Sequence, residues 1–492
     1  MQSSTKITIF CILAATTFNL LGFTLTSPLN PTIGQHFNLP TGASFGSLTS
    51  AYPLGMLIGL FTWPRLSDIL GRRLILIISL LGSGIGLSLQ SYAVYSGKSL
   101  KYFLLSRVFT GMFSGSAPVA KAFLSDIADA REKELRDNDP EFLVEKNIVP
   151  EYNLVSKYLG WRDAAATLSY ICGPALGGLL YEFIRCIGNS AKTMNAKMTW
   201  MNQGRSMTTK AVVGNAFEGR ANALSFVIGM SALGSLIASL LIMTFVKDIQ
   251  KDDMLSSNDD DDEEESSKLE EAAKKDLQMN SCPLGQSLWT GVATVCVISF
   301  LYHIADSTFF AFYPALLQSQ MGFSAREIGM SFTGFACVSF LFSATSLSSR
   351  LIERTGVVNA CALGLTAVGT GLLGLSTSAS PLVGVGLMKL LTFGAAAMYF
   401  AGVPLYGPTI PTMLLLCVPP HQRGSVLGID GIINTMGRIV SPLLMGEIYR
   451  RHGATATFGS ASIFVFTSSY IALLRRFFVK RTQRKLAEEG SF

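Results

Sequence analysis

The sequence predicts an all-α membrane protein with twelve transmembrane helices in two pseudo-symmetric six-helix bundles. Its composition is one reason, because the 492 residues are 49% hydrophobic and only 15% charged, unlike a soluble chain of this length. Twelve apolar segments are another, since they occur as six, a polar gap and six more. The third is a spacing of small residues and proline in the fifth segment that returns in the eleventh.

Each apolar segment approaches or exceeds the roughly 20 residues that a helix needs to cross the hydrocarbon core. The first six lie at residues 7–28, 45–63, 74–94, 101–125, 160–183 and 221–246. The last six lie at residues 286–313, 328–349, 358–378, 382–413, 425–447 and 454–475. An even number of crossings places both termini on the same side of the membrane.

The segments divide the chain into four parts. An N-terminal bundle (1–246) and a C-terminal bundle (286–476) are joined by a linker (247–285), and a basic tail (477–492) follows. The linker contains seven consecutive acids, Asp259–Glu265, which repel one another, so we expect a disordered cytosolic tether. Serines beside these acids leave regulation by phosphorylation as a second use for it.

Basic residues indicate the orientation of the chain. They crowd the loop at Arg65–Arg73, the loop before the ninth segment and the tail, whereas residues 30–44 contain neither Lys nor Arg. Excess Lys and Arg marks the cytosolic side, so both termini are predicted to be cytosolic. A predicted loop at 185–220 carries six basic residues on the opposite side and departs from this rule. Nothing in the sequence identifies the membrane.

A short polar stretch, W-P-R-L-S-D-I-L-G-R-R, separates the second and third segments. Its charges cannot lie in hydrocarbon, so it is a loop at the membrane surface. Its order of acid, glycine and two arginines resembles the G-x-x-x-D-R-x-G-R-R loop of the major facilitator superfamily at Asp68, Gly71, Arg72 and Arg73. Pro64 and Ile69 replace the first glycine and the first arginine of that pattern. The alternative is that these charges only set the topology.

The resemblance implies a cytosolic gate. In the family the loop acid interacts with the start of helix eleven, and the loop arginines interact with an acid at the end of helix four. Here the acids would be Asp68 and Asp126, with Arg72 or Arg73 between them. An exposed ion pair contributes about 1 kcal/mol or less, so such a gate biases the conformational equilibrium without locking it.

An internal repeat relates the two halves. The fifth segment contains Gly160, Ser169, Gly173 and Pro174, and the eleventh contains, with the same gaps, Gly428, Gly437, Ser441 and Pro442. The polar loop returns in the second half as Glu353, Arg354 and Gly356, and we assign Glu353 and Arg354 to the cytosolic gate as well. The first half is longer between the polar loop and the fifth segment, and a charged insert at 129–157, for which we predict one short surface helix, supplies the difference. Two homologous six-helix halves follow.

The fifth segment also resembles the G-x8-G-x3-G-P-x2-G signature of the proton-driven antiporters of the superfamily, through Gly160, Gly173, Pro174 and Gly177. Glycines let two helices approach closely, and proline removes one backbone hydrogen bond so that a helix bends. The resemblance implies a flexible seal between the halves, to which the eleventh segment would add Gly437 and Pro442. Ordinary packing of small residues is the alternative.

Three basic residues inside apolar segments are candidates for the transport pathway. Arg107 begins an R-x-x-x-G pattern that resembles helix four of the family, Lys389 in segment ten is its counterpart in the second half, and Arg438 lies in segment eleven. A charge at mid-membrane costs several kcal/mol unless it is paired or hydrated, so we expect all three to face a central cavity on the substrate or proton pathway. Each could instead hold neighbouring helices in register through a carbonyl or a carboxylate.

Acids inside the apolar segments are scarcer. His303 and Asp306 are three residues apart in segment seven and therefore share one helix face. Asp306 is the most deeply placed carboxylate and the first choice for proton binding, while His303 either shares the proton or is a hydrogen-bonded core histidine. Asn19 occupies the region of segment one where many relatives carry an acid. Asp430, near the start of segment eleven, is assigned to the cytosolic gate.

These features favour a secondary transporter that exports a small organic solute in exchange for protons, similar to the tetracycline-resistance type of drug:proton antiporter. The expected partners are the solute, protons and the lipid bilayer; no cofactor, metal or nucleic acid is expected, and the protein is expected to be a monomer driven by the proton gradient. A facilitative or proton-symporting importer and a receptor with the carrier fold remain as alternatives. No nucleophile and base arrangement or phosphate-binding loop indicates an enzyme.

Overall fold

The structure is a computed structural model of the chain. It describes residues 3–39, 43–114, 116–138, 154–203, 209–246, 288–344, 347–380, 385–415, 417 and 423–489. These residues form helices and their connections, and none of them lies in a β-strand. The predicted acidic tether lies outside the described residues, and so do residues 139–153 of the charged insert.

The first half of the chain begins with one long, bent helix. α1 (Ser3–Thr26) continues through a 3₁₀ turn (Ser27–Leu29) into α2 (Asn30–His36). The prolines Pro28 and Pro31 occupy the first turns of the two short helices, where a missing backbone N–H costs least. Helical structure therefore continues through the junction without a loop, and the first apolar segment extends beyond its predicted end at residue 28.

Six further helices follow in the described part of the first half. They are α3 (Ala43–Leu70), α4 (Arg72–Tyr95), α5 (Leu100–Met112), α6 (Ser116–Asn138), α7 (Leu154–Gln203) and α8 (Thr209–Phe245). The predicted loop at 185–220 is helical over most of its length, because α7 continues to Gln203 and α8 begins at Thr209. Its Ala, Met and Lys residues favour the helix, and no proline interrupts them.

The described residues of the second half form seven helices. They are α9 (Leu288–Met321), α10 (Ala325–Ala344), α11 (Leu347–Thr355), α12 (Val357–Ser378), α13 (Val385–Tyr406), α14 (Thr409–Leu415) and α15 (Arg423–Glu489). Gly453 has φ 76° inside α15 and divides it into the predicted helices eleven and twelve. Gly71 (φ 96°) separates α3 from α4, and Gly356 (φ 83°) separates α11 from α12. Both repeats of the polar loop thus turn on a glycine in a backbone conformation that other residues rarely adopt.

Nine helical stretches among the described residues are long and apolar enough to cross a membrane. One of them, Val426–Arg475, is 50 residues long and contains two crossings joined at Gly453. The fourth predicted crossing is divided between α5 and α6, and the eighth is the 20-residue helix α10. The chain is therefore an all-α membrane protein whose helices match the twelve predicted crossings.

Contacts divide the chain into two compact units. The first unit contains Met1–Lys247, Ser307–Phe340 and Arg438–Thr457, and the second contains Asp248–Asp306, Leu341–Gly437 and Phe458–Phe492. The first unit thus includes the N-terminal bundle together with parts of α9, α10 and α15. We call the region of this unit around Gln35, Phe45 and Gln318 its distal end. There Gln35 Nε2 donates to Gln318 Oε1 at 3.1 Å, and the rings of Phe45 and Phe312 lie 5.9 Å apart.

The first unit has an apolar core at the opposite end. The side chains of Ile75, Leu80, Phe123 and Leu124 are at most 2% exposed there, on α4 and α6. Between this core and the distal end, α3 and α5 approach each other at glycine residues. A Cβ added to Gly55 would overlap the Val108 carbonyl oxygen.

Gly55→Ala is expected to destabilise the protein by about 1–3 kcal/mol, because the added methyl group forces α3 and α5 apart. Gly334→Ala is the matched control, since nothing lies within 4 Å of a Cβ at Gly334 and alanine favours a helix. Thermal unfolding of the purified protein in detergent should show a lower midpoint for the first variant and an unchanged or higher one for the second. Equal midpoints for the two variants would contradict the close packing of α3 and α5.

Candidate functional site

A group of polar side chains lies between α9, α13 and α15 inside the second compact unit. We call it the polar cluster, and its members are Ser299, Tyr302, His303, Asp306, Tyr399, Tyr406, Asp430 and Asn434. Buried polar groups of this number require mutual hydrogen bonds, because hydrocarbon offers them none. The cluster is therefore a built feature of the helix packing.

Asp306 lies at one end of the polar cluster. The Tyr399 hydroxyl donates a 2.6 Å hydrogen bond to Asp306 Oδ1, and the Tyr302 hydroxyl lies 3.5 Å from the same oxygen. His303 Nδ1 lies 4.0 Å from the other oxygen, Oδ2, and the two side chains are only 13% and 14% exposed. A hydroxyl group can form a hydrogen bond with a carboxyl group whether that group is ionised or protonated. The arrangement is thus chemically suited to a carboxylate that gains and loses a proton.

Asp430 lies at the other end of the polar cluster. Asn434 Nδ2 donates to Asp430 Oδ2 at 2.9 Å, the Ser299 hydroxyl donates to Asn434 Oδ1 at 2.7 Å, and the Tyr406 hydroxyl lies 3.4 Å from Ser299 Oγ. The three hydrogen bonds follow one another, from Tyr406 through Ser299 and Asn434 to the Asp430 carboxylate. Asp430 Oδ1 is buried and has no hydrogen-bond partner among the described residues. The structure thus gives this acid contacts in the polar cluster, whereas the sequence assigned it to the cytosolic gate.

Two stacked tyrosines join the ends of the polar cluster. The rings of Tyr302 and Tyr406 are 3.7 Å apart with an angle of 26° between their planes. Sequence reasoning missed Tyr302, Tyr399 and Tyr406. A signal was available, because the spacing of seven between Tyr399 and Tyr406 places both on one face of segment ten.

Gly437 allows α15 to approach the polar cluster closely. A Cβ at Gly437 would lie 3.3 Å from the His303 Cβ and 3.3 Å from the Phe300 carbonyl oxygen. A larger side chain there would push α15 away from α9. The predicted packing role of Gly437 thus concerns the helix that carries His303 and Asp306.

Arg107 lies in the first compact unit and connects three helices. Its Nη1 donates to the Leu48 carbonyl oxygen at 2.6 Å, its Nη2 lies 3.4 Å from Asn30 Oδ1, and its guanidinium lies 5.6 Å from the centre of the Phe103 ring. Carbonyl and amide oxygens of α3 and α2 thus contact this cation within the helix packing. These contacts are compatible with the register-holding alternative, and a role of Arg107 in transport stays a prediction.

The other predicted pathway residues lie elsewhere. Lys389 is exposed in the first turns of α13, and Arg438 is half-buried on α15, where its backbone carbonyl lies 3.5 Å from the Ser307 hydroxyl. Asn19 Oδ1 is 3.3 Å from the Ser235 hydroxyl in the first unit. Asn19 also borders a small, mostly apolar cavity of about 20 Å³, which is enough for a single water molecule.

The residues predicted to form the polar loop are helical in α3 and α4 apart from Gly71, and Arg72 at the start of α4 forms an ion pair. Arg72 Nε lies 3.0 Å from Asp126 Oδ2, and Arg72 Nη1 donates to Ser67 Oγ at 2.6 Å. Arg73 instead donates to the Met243 carbonyl oxygen at 2.7 Å. Of the two arginines considered from the sequence, Arg72 is therefore the one that meets Asp126.

The remaining gate residues occupy helix ends. Asp68 lies in the last turn of α3, and Glu353 and Arg354 lie in the last turn of α11. Arg354 is exposed. The side chains of Asp68 and Glu353 lie outside the described residues, so the expected interaction of Asp68 with the start of helix eleven stays a prediction.

The predicted seal glycines of α7 contact α1. A Cβ at Gly173 would overlap Thr24 Oγ1, and one at Gly177 would overlap the Leu25 carbonyl oxygen. Ser169, which replaces a glycine of the resembled signature, donates a 3.0 Å hydrogen bond to the Thr17 carbonyl oxygen. Gly160 lies on α7, but its surroundings are outside the described residues. The helix-five pattern thus mediates close packing on helix one.

The two prolines of the repeat contact other helices. The Pro174 carbonyl oxygen would overlap a Cβ at Gly329 on α10, and the Pro442 carbonyl oxygen would overlap a Cβ at Gly46 on α3. Both contacts belong to the first compact unit. Gly329 and Gly46 were not singled out in the sequence, because a single glycine in an apolar segment carries no pattern of its own.

A family model described as the Major Facilitator Superfamily matches residues 12–186 and 295–491, which together are more than half of the chain. The class B tetracycline resistance protein of Escherichia coli is 27% identical over 184 residues, which cover 37% of this chain and 38% of that protein. Multidrug resistance protein 1 of Bacillus subtilis (strain 168) is 25% identical over 178 residues, which cover 36% of this chain and 39% of that protein. The matched region thus spans less than half of these curated relatives.

Solved structures match almost the whole chain. The human organic anion transporter MFSD10 (TETRAN) has a TM-score of 0.56 and 17% identity, covering 96% of this chain and 100% of that chain. A bacterial homologue of the human lysosomal transporter Spinster has a TM-score of 0.65 and 13% identity, covering 98% of each chain. At such identities the likeness shows the fold.

The family match, the helix pattern and the structural neighbours agree with one another and with the motifs of the polar loop and of segment five. They place the chain among membrane transporters and not among enzymes. Its relatives include a tetracycline resistance protein of Escherichia coli and the quinolone resistance protein NorA of Staphylococcus aureus. The chain therefore belongs to the Major Facilitator Superfamily.

Proposed function

We propose that this transporter exchanges a small organic solute for protons and that Asp306 binds the transported proton. The observation that carries the proposal is the largely buried Asp306 carboxylate with a tyrosine hydroxyl 2.6 Å from Oδ1 and an imidazole nitrogen 4.0 Å from Oδ2. A tyrosine hydroxyl can bond to the ionised carboxylate and can stay bonded to the protonated acid, so this contact suits a group that binds and releases a proton.

Protonation of Asp306 would change the contact between α9 and α13. A hydrogen bond from a hydroxyl to an ionised carboxylate is shorter and about twice as strong as one between neutral groups. The Tyr399 hydroxyl therefore holds α13 to the ionised Asp306 more firmly than to the neutral acid. In this way a proton on Oδ2, beside His303, weakens the bond between the two helices and connects proton binding to helix movement.

The solute and the direction of transport are further parts of the proposal. The names of the curated relatives refer to resistance to tetracycline, quinolones and multiple drugs, which favours export of a small organic solute by this chain. We place both termini in the cytosol, because Lys and Arg crowd the loops on their side. A proton-coupled importer is the second candidate, since the fold is shared with a D-xylose-proton symporter.

Asp306→Asn is expected to abolish uptake of solute driven by a pH gradient, because the amide cannot exchange a proton. Exchange of solute for solute should persist, since asparagine imitates the protonated carboxylate. Both rates are measured in proteoliposomes with a panel of labelled organic compounds, with and without a pH gradient. Solute uptake driven by an outward proton gradient would indicate antiport, and uptake driven by an inward proton gradient would indicate symport.

Glu447→Gln is the matched control for Asp306→Asn. Glu447 is an acid bound to Arg450 and Arg451 outside the polar cluster, so its amide variant should keep both rates. Tyr399→Phe should lower the pH-driven rate while leaving Asp306 able to titrate. Retention of pH-driven uptake by Asp306→Asn would exclude Asp306 as the proton site, and absence of flux for every compound would favour the receptor alternative.

The ion pair of Arg72 and Asp126 is expected to contribute modestly to the transport rate. The two side chains are 24% and 44% exposed, so their coupling should be about 1 kcal/mol or less, which corresponds to a rate change of about fivefold. In a double-mutant cycle, Arg72→Gln and Asp126→Asn should each slow transport within this limit, and the double variant should be no slower than the slower single variant. The exposed cation variant Lys101→Gln is the control.

Strictly additive effects of the two substitutions would contradict a functional ion pair. Salt provides a second measurement, since exposed charges are screened. The difference between the parent and the Arg72→Gln variant should therefore shrink as the ionic strength rises. A difference that is insensitive to salt would indicate that Arg72 acts through its bond to Ser67.

A further inference from the structure

Two contacts in the first compact unit have the same construction. On α3, a Cβ at Gly46 would overlap the Pro442 carbonyl oxygen, and one turn later the Ser50 hydroxyl donates a 2.8 Å hydrogen bond to the Ile439 carbonyl oxygen of α15. On one helix, a glycine is followed four positions later by a hydroxyl residue. On the other helix, the glycine faces a proline, and the hydroxyl bonds the carbonyl oxygen of the residue three positions before that proline.

The second contact joins α10 to α7. A Cβ at Gly329 would overlap the Pro174 carbonyl oxygen, and the Thr333 hydroxyl donates a 2.6 Å hydrogen bond to the Ile171 carbonyl oxygen. The spacing of four between glycine and hydroxyl and the spacing of three between carbonyl and proline are the same as in the first contact.

The internal repeat relates the two contacts. Gly329 and Thr333 are the second-half counterparts of Gly46 and Ser50, because both follow them at one common offset along the chain. Pro442 and Ile439 likewise follow Pro174 and Ile171 at the offset that relates the eleventh segment to the fifth. Helix two therefore bonds to helix eleven in the same way that helix eight bonds to helix five. Four residues that pair in the same manner twice are part of the repeat and not an accident of packing.

The chemistry of these contacts suits a bond that must break. Glycine allows the two backbones to approach until a short hydroxyl side chain reaches the opposite main chain. Proline removes a helical donor and bends the partner helix, so that carbonyls near the bend can accept bonds from outside. A Ser or Thr hydroxyl can also bond the carbonyl four residues earlier in its own helix. When the helices separate, Ser50 and Thr333 thus have their own glycine carbonyls, those of Gly46 and Gly329, as alternative acceptors.

We infer that Ser50 and Thr333 are a matched pair of positioning residues whose hydroxyl bonds close the distal end and set how often it opens. This inference rests on the alternating access of the proposed function, but it concerns closure and not proton binding. Each hydroxyl exchanges one carbonyl for another, so no buried donor is left unsatisfied in either state. The pair therefore favours the closed end only by the small difference between the interhelical bond and the bond within the helix.

Crosslinking at the distal end tests this inference without solute or protons. Gln35→Cys and Gln318→Cys replace two long side chains whose ends are 3.1 Å apart, so a short bifunctional thiol reagent that spans the two cysteines should join them whenever the end is closed. Ser50→Ala and Thr333→Val should each slow crosslinking about threefold, the effect expected of one interhelical side-chain hydrogen bond in a membrane protein. Together they should slow it roughly tenfold, because the two contacts share no residue.

Three further variants separate the hydroxyl bonds from general packing. Ser50→Thr and Thr333→Ser keep a hydroxyl and should crosslink at nearly the parent rate. Ser88→Ala is the matched control, since the Ser88 hydroxyl bonds the Gly84 carbonyl of its own helix. Gly46→Ala should slow crosslinking more than either hydroxyl variant, because its Cβ overlaps the Pro442 carbonyl oxygen. Proteins with only one introduced cysteine define the background.

Parent-like crosslinking of the Ser50→Ala, Thr333→Val double variant would overturn the inference, as would an equal loss in Ser88→Ala. The thermal midpoint of each variant in detergent identifies any that fail to fold, and the hydroxyl-retaining variants then carry the test. Asp306→Asn should crosslink at a measurable rate whatever its transport activity. Failure of the proton proposal and failure of the hydroxyl pair are therefore distinguished by different measurements.

Discussion

Close approach of helix backbones at glycine residues is the constraint on which the other features of this transporter depend. Lipid tails are as apolar as leucine, so helices in a bilayer gain little by burying leucine and must instead gain from contact distance. Gly55 and Gly177 bring α3 to α5 and α7 to α1 until a Cβ would overlap a carbonyl oxygen of the partner helix. At these separations even a serine hydroxyl reaches the neighbouring main chain.

The polar cluster also depends on close helix packing, because its buried acids need hydrogen-bond donors from neighbouring helices. A buried carboxylate is tolerated only where donors surround it, and α9, α13 and α15 supply them from side chains. Tyr399 and Tyr302 offer hydroxyls to Asp306, while Asn434 completes an oriented chain to Asp430. These donors join the acids of α9 and α15 to side chains of neighbouring helices. The proposed proton site and the packing of the helices therefore share the same hydrogen bonds.

The two ends of the first compact unit are held by different forces. Near α4 and α6 an exposed ion pair joins Arg72 to Asp126, and its strength depends on salt and on the protein surface. At the distal end, Ser50 and Thr333 form neutral bonds to carbonyl oxygens, which salt does not screen. A carrier that alternates between two open states needs both ends to be weak. The ion pair is weak because water and salt screen its charges. The hydroxyl bonds are weak because each hydroxyl has a second carbonyl oxygen within its own helix.

Residue order alone was enough for the helical membrane fold, the twofold repeat and the family motifs, because hydrophobic length, charge position and proline spacing are local properties. It also singled out Asp306, since an acid in an apolar segment is conspicuous. Residue order did not indicate that Tyr399 binds that acid, that Arg107 bonds the Leu48 carbonyl, or that Ser50 pairs with α15. Tyrosines, carbonyls and serines occur throughout such helices, so only the rotation and approach of the helices in three dimensions decided which of them meet.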